Sequence, residues 1–386
     1  MQVVWFAEIK WDYLKTRKQQ IIMRKPADIQ VLYLEPYTRK RRNVFRLRTE
    51  GDIFCATIPF IKSAPTFPWR NVLDRQSARR AVDFVARTRV KSILKDLRYN
   101  PVDVGFIISN IYAADIAVSL PRRFLLYDCN DDHSSFPGMR SWSETYFNKT
   151  SRSADAVFAS SQALLERVSS IRGGEDGVRY LGNGVDFGHF RGMNGAPQAG
   201  KPRLGYIGAL APWVDFDAIA DVARRHPEWE IVLVGPILPG ADEPVRELTA
   251  LPNVFYLTAV PYDRLPEILG QFTLGLIPFR LNRLTRGVNP NKLYEYLAAG
   301  LPVVTTRFSQ EVLAYPELVK AADAGDDFVA ACESTVAELA DPDRAQQIKE
   351  LARRIAEEND WNIIAETFWD KVIKMNKHGM LEGEPS

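Results

Sequence analysis

Short apolar runs recur along this chain, each bounded by charged or turn-forming residues, and between many of them lie longer stretches whose apolar positions repeat with helical spacing. In the first half the runs fall at 3–9, 29–34, 53–58, 104–109, 124–128 and 156–160; in the second they fall at 203–207, 230–234, 254–257, 274–278 and 302–305. Runs apolar at nearly every position suit strands buried on both faces of a parallel sheet. Helical spacing predicts a loop and first helix over 11–23 and helices over 71–99, 216–225, 265–269, 290–299 and 360–374. The last of these places Trp361, Ile364, Phe368 and Trp369 on or near one face. Such alternation predicts an α/β protein built from two successive parallel-sheet units. Asn183-Gly184 marks a turn after a strand, and 192–201 is rich in Gly, Pro and polar residues, as a hinge would be. The expected division is a first domain over 1–190, a linker over 191–201, a second domain over 202–355, and a final helix with a polar tail over 356–386.

The stretch 273–306 carries the densest signals. An apolar run ends at Pro278, and a polar, basic loop follows with Arg280, Asn282, Arg283, Thr285, Arg286 and Gly287. Asn289 and Pro290 predict the N-cap and first position of a helix, which Gly300 closes before Pro302 opens the next run. Lys292 and Glu295, three residues apart, share a face near the start of that helix. Free N–H groups and the positive end of the helix dipole suit a diphosphate beside Lys292, and Glu295 one turn deeper suits ribose hydroxyls. The alternative is a surface helix with a weak exposed Lys–Glu pair.

Composition adds two points. The chain has 386 residues, 46% of them apolar, enough for two domains, and three cysteines without a C-x-x-C spacing read as reduced core thiols of a cytoplasmic protein. No apolar stretch approaches the roughly 20 residues of a membrane span, and the N-terminus lacks the pattern of a signal peptide. The net charge of +2 hides an asymmetry, because residues 1–190 hold 30 basic against 20 acidic side chains. A basic half calls for an anionic partner (membrane surface, lipid diphosphate or nucleic acid) or is a solvated face. The run Arg39, Lys40, Arg41, Arg42 is too polar for a core. In 71–99, Leu73, Ala81, Val82, Val85, Ile93, Leu94 and Leu97 form the apolar stripe expected to pack as core. The basic face of that helix, with Phe67 and Trp69 in the preceding loop, is expected to dock on the inner face of an anionic membrane.

The motif N-P-x-K-x-Y-E-Y-x-A-x-G-x-P-V-V, running from Asn289 to Val304, resembles the donor-site signature of glycosyltransferase family 4, retaining enzymes of the GT-B fold. Asn183-Gly184-Val185-Asp186 followed by Phe190 is similar to the family's N-G-V-D-x-x-x-F segment, and Trp11-Asp12 with Arg17, Gln19 and Gln20 resembles a branch acting in cell-surface polysaccharide synthesis, of teichuronic-acid type. The resemblance implies two Rossmann-like domains facing each other across a cleft, with the last helix crossing back to the first domain. It implies a nucleoside diphosphate sugar as donor, a saccharide or lipid-linked acceptor, retention of configuration, no metal or other cofactor, and no nucleic-acid partner. The catalytic candidates are Lys292, Arg280 and His133, the last resembling the family's histidine that faces the donor sugar. Donor-binding candidates are Glu295, Asn289, Asn291, Gly208, Val288 and Tyr294; acceptor-side candidates are Trp11, Asp12, Arg17 and Asp132.

The sequence departs from the family at three places. The loop after the first strand lacks paired glycines, and the loop after 203–207 lacks the usual Arg and Lys, leaving Lys292 and Arg280, with Arg283 or Arg286, for the phosphates. The first of two glutamates eight residues apart is here Gly287. Two patterns are read in structural terms: Asp215-Phe216-Asp217 as a helix cap rather than a metal motif, and Asp131-Asp132-His133 as a site loop rather than a metal cluster, since no second His stands at ligand spacing. A sugar-nucleotide epimerase and a non-catalytic scaffold are the rival readings.

Overall fold

The computed structural model describes residues 1–12, 15–38, 47–60, 74–136, 138–140, 142–191 and 200–381, the last four by backbone alone. The basic run 39–42, Phe67, Trp69, Leu73, most of the expected hinge and the tail from 382 lie outside the described residues. The chain divides into two compact units, Met1–Gly182 with Ala365–Ser386, and Asn183–Ile364.

The first unit is built on strands β1 (Gln2–Phe6), β2 (Gln30–Pro36), β3 (Arg48–Glu50), β4 (Ile53–Ile58), β5 (Gly105–Ile108), β6 (Phe124–Cys129), β7 (Ala156–Ala159) and β8 (Val178–Tyr180). Their order is β3-β4-β2-β1-β5-β6-β7-β8, parallel except where β3 pairs with β4. The central strand is apolar on both faces, and Val4 pairs with Leu32 on one side and Phe106 on the other. β4 and β5 are joined through the helix Gln76–Asp96, whose buried positions Ala86, Val90, Ile93 and Leu94 follow the helical period. Ala81 and Val85, expected on that stripe, are exposed: counted from Ala86 and Val90 they fall on the opposite side of the helix.

The helix Trp361–Leu381 supplies the rest of the core. Phe368 stacks on Trp5 of β1 with ring centroids 5.4 Å apart, and the Trp369 indole N–H donates to the Ile21 carbonyl at 2.9 Å. The C-terminal helix thus packs on the first unit, as the sequence led us to expect.

The second unit holds β9 (Arg203–Ile207), β10 (Glu230–Val234), β11 (Val254–Leu257), β12 (Leu274–Ile277), β13 (Val303–Thr306) and β14 (Val319–Ala322), all parallel in the order β11-β10-β9-β12-β13-β14. Asn183–Asp186 is built into this unit, Val185 bridging to Asp360. Among its helices, Phe216–Arg225 starts at Asp215, whose carboxylate accepts from Ala218 N–H, so the Asp-x-Asp does act as a cap. Pro342–Glu358 opens with Asp341 at the N-cap and Pro342 at the first position, where a missing N–H costs nothing.

In each sheet the strand order reverses direction beside its first strand, at β1/β5 in one and β9/β12 in the other. The carboxyl edge at such a reversal is where α/β sheets leave a crevice for ligands.

Candidate functional site

At the reversal in the second unit, β9 and β12 stay in register only at Leu204–Leu274 and Gly205–Gly275. Beyond that point the Tyr296 hydroxyl stands between them. It accepts from Ile207 N–H at 2.9 Å and lies 3.0 Å from the Gly205 carbonyl and 3.3 Å from that of Leu276. Gly275 makes room for the ring, since a Cβ there would come within 2.5 Å of it. Tyr296 belongs to the helix Asn291–Ala298 and pins it across the diverging strands, its N-terminus at the carboxyl edge.

That helix begins one residue later than the sequence suggests, with Pro290 at the N-cap and Asn291 in the first turn. Asn289 is buried, and its carbonyl is taken by the Asn183 side chain at 2.7 Å instead of opening the helix. At the other end Gly300 is left-handed, φ +81°; its N–H reaches the Leu297 carbonyl and Leu301 N–H that of Tyr296, a Schellman closure.

Lys292 rises from the first turn into an aromatic seat. Its ammonium donates to the Tyr206 hydroxyl at 3.0 Å and lies 4.2 Å and 4.6 Å from the ring centroids of Tyr206 and Phe279. The Tyr206 hydroxyl in turn donates a hydrogen bond to the Ala209 carbonyl at 2.8 Å, so its orientation is fixed. Gly208, at φ +118°, leaves the space beside the ammonium bare: a Cβ there would stand 3.1 Å from Nζ. Burial pushes the Lys292 ammonium down to about 7, against the attraction of Glu295, and pushes the Glu295 carboxyl up to about 7, against the attraction of Lys292. Among the described residues, the part-buried Glu295 carboxylate has neither a hydrogen bond nor an ion pair, and Asn291 Oδ1 has no partner. Uncommitted charge and polarity at a helix N-terminus suit an anionic, hydroxyl-bearing ligand.

The other donor-side candidates are spread around this point. Arg280 is 49% exposed in its side chain and pairs with Asp217 at 3.0 Å and Asp215 at 3.8 Å. Its backbone is held where the loop after β9 runs antiparallel to the end of β12, with Arg280 N–H on the Trp213 carbonyl. Arg283 and Arg286 are exposed on the short helix Arg283–Arg286, which Asn282 and Thr285 close with a capping box. Gly287 is buried, Val288 is half-buried, and Tyr294 faces the core. Tyr206 and Phe279 escaped sequence reasoning; each stands at or beside the carboxyl end of an apolar strand, which is the signal that could have found them.

In the first unit two of the candidates, Arg17 and Asp132, are tied into ion pairs. Arg17 bonds the Asp128 carboxylate at 2.9 Å and the Gly182 carbonyl, and the Asp132 carboxylate takes the Arg167 guanidinium with the hydroxyls of Ser134 and Ser135. Burial acts to raise the Asp132 carboxyl, but Ser135, Arg167 and Ser134 together hold it below the usual range. His133 is buried with its ring edge-on to Tyr112 at 5.9 Å and near Phe136. Trp11 packs edge-on to Tyr33 and its backbone N–H donates to the Glu35 carboxylate at 3.3 Å, while Asp12 is exposed. Sequence reasoning missed a charged layer at this same edge: Lys10 on Glu35 at 2.9 Å and Lys18 on Glu8 at 2.6 Å. Charged residues flanking an apolar strand were its only sign. Among the described residues no group of three His, Cys, Asp or Glu side chains is placed to hold a metal ion.

Residues 201–342 match the family model described as Glycosyl transferases group 1. A Bacillus subtilis (strain 168) protein named as a teichuronic acid biosynthesis glycosyltransferase, TuaH, is 29% identical over 280 residues, covering 67% of this chain and 68% of its own. In structure, the sucrose-phosphate synthase of Thermosynechococcus elongatus superposes with a TM-score of 0.74 at 13% identity, over 97% of this chain and 99% of that one. Anabaena HepE in complex with UDP-glucose does so with a TM-score of 0.67 at 16% identity, over 97% and 100%. Residues 201–342 are therefore a glycosyl transferases group 1 domain, and the chain that carries them is a glycosyltransferase of the GT-B fold.

Proposed function

We propose that this protein transfers a sugar from a nucleoside diphosphate sugar to a saccharide or lipid-linked acceptor of a cell-surface polysaccharide, with retention of configuration and without a metal. The observation that carries the donor assignment is the pairing of Lys292, seated on Tyr206 and Phe279 beside bare Gly208, with an unbonded Glu295 one turn deeper. HepE, a structural neighbour, binds UDP-glucose, which supports the donor class. The name of the Bacillus relative supports a polysaccharide product, and the resemblance to family 4 supports retention.

In this reading the C1–O bond to the β-phosphate breaks, a new C1–O bond forms to an acceptor hydroxyl, and the hydroxyl proton leaves with the departing phosphate. Charge grows on the diphosphate, where Lys292 and the free N–H groups of Asn291–Ala298 lower the barrier. Arg280, held by Asp217, would have to exchange that pair for phosphate, so its part is secondary to that of Lys292. Glu295 fixes the ribose, and His133 is assigned to the donor sugar by the family resemblance. The acceptor is assigned to the carboxyl edge of the first sheet, beside Trp11 and Asp12. Neither the epimerase nor the scaffold reading gains an observation.

The test measures transfer and nucleotide affinity together. A screen of UDP, GDP, dTDP and their sugars by thermal shift identifies the donor; Lys292→Ala and Glu295→Ala are then each expected to lower transfer at least about a hundredfold while melting cooperatively. Near-normal turnover in either variant would sink the assignment.

A further inference from the structure

The basic half of the chain is densest in charge on the helix Gln76–Asp96, which holds six basic and two acidic residues. The structure shows which way that helix faces. Ala86, Val90, Ile93 and Leu94 are buried, toward β4 and the helix Ala114–Ser119, and Asp83 is buried with them. On the other side Phe84 is 64% and Val85 56% exposed, adjacent to each other, with Arg80 about one turn before them and Lys91 and Lys95 about two and three turns after. The helix therefore covers one apolar stripe and leaves two large apolar side chains, Phe84 and Val85, open among its outer charges.

A solvated basic helix needs its charges but has no use for a large aromatic and a branched residue side by side in water. An aromatic and an aliphatic group flanked by cations match in chemistry the boundary between anionic headgroups and acyl chains. Among the described residues no helix is long and apolar enough to cross a membrane, so such a contact would lie on the surface of a bilayer. We propose that this face docks the protein on an anionic bilayer, with Phe84 and Val85 entering the headgroup layer and Arg80, Lys91 and Lys95 lying over the lipid charges. The inference does not depend on the donor site.

The full chain is sedimented with phosphatidylcholine vesicles and with vesicles that also contain phosphatidylglycerol, at physiological salt. Binding to the anionic vesicles alone is expected; Phe84→Ser with Val85→Ser weakens it at least about tenfold, Lys91→Gln about fivefold, and neither changes melting or transfer to a soluble acceptor. Equal binding to both vesicles, no binding, or wild-type binding by the double variant overturns the proposal. A second readout uses Phe84→Cys carrying an environment-sensitive dye, selective because Cys55, Cys129 and Cys332 are buried. Its emission shifts to the blue on anionic vesicles; bound protein with an unshifted dye overturns the choice of face. A single-stranded oligonucleotide is the competing anion: tighter binding to it than to vesicles, undiminished in the double variant, also overturns the proposal.

Discussion

Lys292 keeps its ammonium against two aromatic faces and one hydroxyl, with no carboxylate in ion-pair contact among the described residues. Burial has drawn its proton affinity down to about 7, so the free site loses positive charge as pH rises through neutrality. A diphosphate favours the charged form, and binding above that pH must therefore take up a proton. Nucleotide affinity is expected to fall as pH climbs from 7 to 9, and calorimetry at pH 8 in buffers of different ionisation enthalpy should show proton uptake that disappears in Lys292→Met. Glu295 works in the opposite sense: raised to about 7, its carboxyl is protonated below neutrality and a full acceptor only above it. Lys292 and Glu295 were legible in the sequence because helical spacing alone puts them on one face. The aromatic seat was not, since Tyr206 and Phe279 come from strands far apart in the chain and only the fold brings them to Lys292.

The helix Asn291–Ala298 packs on the core of the second unit and is pinned at its strands by the Tyr296 hydroxyl, wedged where β9 and β12 part. Tyr296→Phe keeps the ring over Gly275 but leaves Ile207 N–H, buried in the sheet, without an acceptor. A loss of about 1–3 kcal/mol in denaturant unfolding is expected, with a weakened nucleotide complex because the helix N-terminus is no longer held at the crevice. In this sheet β9 and β10 could be read with their bounds unchanged, because two-sided burial leaves uninterrupted apolar runs, and the edge strand β11 could be read too because Phe255, Tyr256 and Leu257 keep it apolar even where it is exposed. The edge strands β3, β8 and β14 could not: they are short, and one covered face leaves too few apolar positions to stand out. The helix Gln76–Asp96 shows a further limit, since periodicity found Ile93 and Leu94 of its core stripe but missed Ala86 and Val90 and took in Ala81 and Val85, which lie on the outer side.

At the scale of the molecule, two parallel sheets each offer a reversal edge, and uncommitted charge gathers at one while buried ion pairs close the other. The first unit is also assembled from sequence-distant parts. Trp369 lies in its core, 348 residues beyond the Ile21 carbonyl that it bonds, and Phe368 covers Trp5. Trp369→Ala is expected to cost about 3–5 kcal/mol, read as early loss of the first unit in denaturant, whereas a substitution at exposed Ile363 leaves the midpoint unchanged. A ribosome adding roughly 10 residues per second needs about half a minute between making Ile21 and making Trp369. Through that interval β1 has no lid, and all of Asn183–Ile364 is made before the lid is. The part translated first is thus the part finished last, and its open apolar strand is the segment that a chaperone at the ribosomal exit would have to shield.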